Sequence, residues 1–79
     1  MNQDFSTPQV TRAEQETETE AKRLTAQIDD ALAAVSKGSN SGGEDLEACA
    51  DRLERAARDL IVALRELARE RRKSNEESR

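Results

Sequence analysis

Cys49 is the only thiol in this 79-residue chain, which has no histidine at all. A cysteine nucleophile needs a base to take its proton and electropositive surroundings to hold the thiolate. Cys49 instead follows Glu44, Asp45 and Glu47, whose charges oppose a thiolate, so a small apolar place on a helix suits it better. The densest acidic run is Glu14, Glu16, Glu18 and Glu20. At about 100° per residue, steps of two scatter side chains around a helix instead of converging them on one ion. No histidine or second cysteine is present to complete a metal site. Paired carboxylates act as acid and base only across a cleft, and a pair of helices offers none. The residues therefore predict no catalytic group, no cofactor, no metal and no small-molecule substrate.

The basic residues are the other candidates for chemistry. Leucines at seven-residue spacing followed by Arg69, Arg71, Arg72 and Lys73 suggest a basic zipper. In basic zippers, however, the basic region comes first and is largely free of acids, whereas here it follows the leucines and Glu70 interrupts it. Arg52, Arg55, Arg58, Arg65 and Arg69 form a second set that could meet phosphates, but Asp51, Glu54, Asp59 and Glu66 alternate with them. A helical hairpin carrying such arginines resembles, in architecture only, the small Rop-type plasmid regulators that bind RNA. No residue motif of that group is matched, so nucleic-acid binding through these arginines is kept as the alternative function. The formal net charge of −4 repels nucleic acid and anionic membrane as a whole. The glycine cluster at residues 38–43 lacks both the preceding strand and the Gly-Lys-Ser/Thr ending of a phosphate loop, and reads as a turn.

Composition points to long helices. Charged residues make up 38% and apolar residues 34%, with 12 alanines among the latter and Phe5 as the sole aromatic. Such a chain has the makeup of a coiled coil and not of a globular core. Thr7-Pro8 is a sound helix start, because proline in the first turn forfeits no hydrogen bond, with Thr11-Arg12-Ala13-Glu14, at capping-box spacing, as a rival; Gly38 is a natural left-handed stop. Glu44, Asp45 and Glu47 at the start of the next helical stretch, and Arg69 to Lys73 at its end, complement the helix dipole. The expected organisation is a disordered N-terminus (1–7), a helix (8–37), a Gly/Ser loop (38–43), a second helix (44–73) and a disordered tail (74–79). The fold class is all-α, an antiparallel two-helix hairpin assembled as a homodimeric four-helix bundle or antiparallel coiled coil. No stretch is long and apolar enough to span a bilayer, the first residues lack the features of a secretion signal, and the lone cysteine fits a reducing compartment; a cytoplasmic location is expected. A secreted hairpin of the Trp-x-Gly type is disfavoured by the absence of tryptophan.

The leucines at 46, 53, 60 and 67 repeat every seven residues, flanked on one side by Cys49, Ala56 and Ala63 and on the other by Ala50, Ala57 and Leu64. A seven-residue period keeps one stripe toward a partner helix. In the first helix Ala21, Leu24, Ile28, Ala31 and Val35 alternate steps of three and four, and Leu32 widens the stripe. Folding about residues 40–41 sets numbers summing to about 81 side by side: Val35 with Leu46, Ile28 with Leu53, Leu24 with Ala57. This loop-proximal half is expected to satisfy itself. Further out, Leu60 to Leu67 face the polar run Glu14 to Glu20, and five consecutive apolar residues, Leu60 to Leu64, cannot all face one helix. The residues expected to meet a second copy or a helical partner protein are Leu46, Leu53, Ala57, Leu60, Ile61, Leu64 and Leu67, with Leu24 and Ile28. The expected function is that of a non-catalytic protein–protein interaction module: an adaptor, regulator or chaperone-like subunit.

Overall fold

The computed structural model describes the backbone of residues 8–40 and 42–77, and the side chains from Val10 to Asn75 apart from Ser39 and Ser41. The expected disordered N-terminus, with the Thr7 cap and Phe5, and the last two residues of the tail lie outside the described residues. Helix α1 spans Pro8–Ser36 and helix α2 spans Gly43–Glu77, with a single 3₁₀ turn, Gly38–Asn40, between them. The two helices pack against each other and no strand occurs among the described residues. α2 continues four residues beyond the expected end at Lys73. Nothing in Ser74-Asn75-Glu76-Glu77 breaks a helix, since that segment has neither glycine nor proline, and Ser74 is half-buried.

The reversal is built from local hydrogen bonds. The Lys37 amide donates to Ala33 O at 3.2 Å and the Asn40 amide to Lys37 O at 3.2 Å, while the Leu46 amide donates to Gly42 O at 3.1 Å and opens α2. Gly38 has φ 61°, a conformation in which a Cβ would crowd the following carbonyl. Gly38→Ala is expected to cost about 1 kcal/mol, read as a lowered midpoint of urea unfolding.

Residues with numbers summing to about 80 lie opposite one another, as Thr17 and Ala63 do. Inward positions on α1 are Val10, Ala13, Thr17, Glu20, Leu24, Gln27, Ala31 and Ala34; on α2 they are Cys49, Leu53, Ala56, Leu60, Ala63, Leu67, Glu70 and Ser74. Steps of three and four throughout mark both sets as heptad seams. Buried alanines (Ala13, Ala34, Ala56, Ala63) recur along the seam, and small side chains let two helix axes approach to the short end of the 8–10 Å range. The best-packed point is a cluster of Val10, Ala13 and Leu67, at the end remote from the loop. The hairpin measures 58 × 23 × 13 Å over its Cα atoms, so it is a single layer. Among the described residues no side chain is fully enclosed.

This seam corrects the expected pairing in α1. Gln27 and Ala34 turn inward where Ile28 and Val35 were expected, and Ile28 and Val35 are left 44% and 67% exposed. The loop-proximal half does not satisfy itself, while the distal half, where Leu67 is 9% exposed, packs better than expected. Two stripes one residue apart share Leu24 and Ala31, and the seam takes the smaller-residue one.

Candidate functional site

In a single-layer hairpin, the residue after each inward position turns to one broad face and the residue before it to the other. Of the large hydrophobics left exposed, Ile28, Leu32, Val35, Ile61 and Leu64 all follow an inward position. Leu46 is in phase with the inward leucines but lies at the open loop end, 42% exposed; Val62 alone precedes an inward position. Ala21, Ala50, Ala57 and Ala68 share the first face with them, together with the polar Glu14, Glu18, Thr25, Glu47, Glu54 and Arg71. An ion pair between Arg71 Nη2 and Glu14 Oε2, 3.1 Å apart, bridges the helices on that face at its far end, which shows that the two "after" sides coincide. Each half-exposed leucine or isoleucine there forgoes roughly 1 kcal/mol of the ~1.5–3 kcal/mol available on full burial.

The opposite face is polar. Its shallow open depressions are lined by Glu16, Glu20, Asp59 and Glu66, by Arg12 and Glu70 further out, and by Asp30, Lys37, Asp45 and Arg52 near the loop. Cys49 edges the last of these, half-buried, with its sulfur 3.5 Å from Arg52 Nη2. Among the described residues no group of three or more His, Cys, Asp or Glu side chains gathers around one point.

Polar residues that the seam takes in are partnered. Thr17 Oγ1 lies 2.8 Å from Ala13 O and 3.3 Å from Ala63 O and can donate to either. Arg52 Nε donates to Gln27 Oε1 at 3.3 Å. Glu20 pairs with Arg23, and Glu70 with Lys73.

The residues expected at a partner interface divide three ways. Leu24, Leu53, Leu60 and Leu67 belong to the hairpin's own seam; Ile28, Ile61 and Leu64 stand on the apolar face; Ala57 is half-buried on that face and Leu46 borders it. Leu32 and Val35 complete the face. The signal for them was present as the second of two α1 stripes, but bulk alone pointed that stripe inward.

The arginines are not brought together on one surface. Arg52, Arg55 and Arg69 lie toward the polar face, and Arg58 and Arg65 on the outer ridge of α2, all exposed. Arg58 is held by Glu54 and Arg69 by Glu66, each at 2.6 Å. The hydrogen bond from Arg69, and secondly its charge, hold the Glu66 carboxyl below its ordinary range, and the same pair raises Arg69. A depressed carboxyl pKa adds stability that is present above the unfolded-state value and is lost as pH falls through the folded-state one. Both groups are open to solvent, where such pairs contribute little. Glu66→Gln is therefore expected to leave the neutral-pH melting temperature unchanged, as circular dichroism would record.

No helix among the described residues is long and apolar enough to cross a membrane. Comparison with protein families, with characterised proteins and with solved structures finds no match to this chain.

Proposed function

We propose that this chain is a non-catalytic interaction module that works as a homodimer, with the apolar faces of two hairpins in contact. It is a small adaptor, regulator or chaperone-like subunit of the cytosol, where a single free cysteine is stable. The observation that carries the proposal is the sorting of exposed hydrophobics, with Ile28, Leu32, Val35, Ile61 and Leu64 on one face of a layer one helix thick. A hairpin whose own seam holds Thr17, Glu20 and Gln27 while larger apolar residues stand outside has placed its stronger stripe where only another molecule can cover it. Exposed apolar stripes of this kind mark protein contacts, and symmetric dimers are the commonest assemblies.

Circular dichroism over a dilution series tests this. Helicity should fall as the concentration drops below the dimer constant, because helix packing, not propensity, supplies most helical stability. Helicity independent of concentration, with a monomer mass throughout, would reject the dimer. Phosphate binding through Arg52, Arg55, Arg58, Arg65 and Arg69 has less to support it, since two of the five are already paired with glutamates.

A further inference from the structure

The charges on the outer ridge of α2 say how two copies meet. Along this ridge Glu44, Asp51, Arg58, Arg65 and Arg72 follow one another at seven-residue steps. Arg58 is neutralised by Glu54. The other four have no ion-pair partner within 4 Å among the described residues, and they are ordered acid, acid, base, base. We infer that α2 packs antiparallel on α2 of a second copy, with a two-fold axis beside Ala57 and the two loops at opposite ends of the dimer. This orientation rests on the proposed homodimer and goes further by fixing its geometry.

Turning α2 about that axis sets Asp51 against Arg65 and Glu44 against Arg72 of the second copy, each pair occurring twice by symmetry, with Arg58, held by Glu54, beside its own mate at the axis. The same rotation matches side-chain sizes along the apolar face. Ala57 meets its own mate, where the helices are closest, Ala50 meets Leu64, and Leu46 meets Ala68, so large residues fall opposite small ones. Between them Ile61 lies over the Leu53–Glu54 turn of the second copy, where Leu53 belongs to its own seam and Glu54 is held by Arg58. The opposite choice, with both loops at one end, stacks α1 on the second copy's α2. It would bring Asp29 level with Asp51, like charges, and would set Ile61 and Leu64 over the Glu16–Glu18 turn. In the arrangement inferred here Ile28 and Leu32 lie over Glu18 and Glu14 of the second copy, so the contact is centred on α2 and the α1 helices form its edges.

Charge exchange and cross-linking on the full-length chain test this orientation. Asp51→Arg should weaken the dimer roughly tenfold in sedimentation equilibrium, by replacing two attractive pairs with two repulsive ones. Asp51→Arg combined with Arg65→Asp should restore it. Residues 51 and 65 lie about 21 Å apart along one helix, so rescue can act only between chains. In a Cys49→Ala background, Ala57→Cys should form a disulfide-linked dimer on mild oxidation. Leu46→Cys should cross-link to Ala68→Cys in a mixture of the two chains, and neither should do so alone, because identical positions there are about 33 Å apart and a disulfide needs Cα atoms within about 7 Å. A dimer that shows no rescue and instead cross-links Val35→Cys to Leu46→Cys would overturn the orientation and leave the homodimer standing. A monomer at all concentrations would overturn both.

Discussion

Ile61→Glu together with Leu64→Glu is expected to abolish association at micromolar concentration and to take most of the helical signal with it. Both side chains are close to half exposed, 45% and 48%, so in the isolated hairpin the change costs little packing. In a dimer it sets four carboxylates into an apolar contact, where an unpaired charge costs several kcal/mol. The control is Val62→Glu. Val62 sits between them in sequence and is the more exposed at 65%, but it points to the polar face. It should leave mass and helicity unchanged. Equal effects of the two variants would mean that the faces are not distinguished in solution.

Leu67→Ala is expected to be the most damaging single truncation within the hairpin. Leu67 is the most enclosed large side chain of α2 and meets Val10 and Ala13, and its removal should cost about 2–3 kcal/mol. A two-helix layer with no fully enclosed residue among those described has little stability to spare, so urea unfolding of this variant should begin at the lowest concentrations. Leu32→Ala, at a site 61% exposed on the edge helix, should shift the midpoint far less. The larger loss from Leu67 places the anchor of the fold at the end remote from the loop, which is the reverse of what pairing the bulky residues of the two helices would suggest.

Much of this architecture is legible in the residues. Pro8 opens α1 and Gly38 ends it because each has a backbone reason to be there, and the turn falls where the glycines cluster. The register is legible to about one residue, since a short loop leaves little slack between two long helices. The choice between adjacent stripes is not. In α1 the stripe through Ile28 and Val35 and the stripe through Gln27 and Ala34 share Leu24 and Ala31, and hydrophobic period alone favours the bulkier one. The seam takes the smaller one, in which the alanines sit against other residues, Ala13 against Leu67 and Ala63 against Thr17, a property of the pair that neither helix shows alone. The same ambiguity hid the exposed apolar face: Leu32 and Val35 read as core from their spacing and stand on the surface. On α2 the leucine repeat does point inward, and the two flanks, Cys49-Ala56-Ala63 and Ala50-Ala57-Leu64, separate only once α1 has chosen a side.

Sedimentation equilibrium of the unaltered chain across the micromolar range decides whether the hairpin dimerises. The expected mass is twice the 8.8 kDa chain, giving way to the monomer on dilution as helicity falls. A fully helical 8.8 kDa monomer at high micromolar concentration would contradict it.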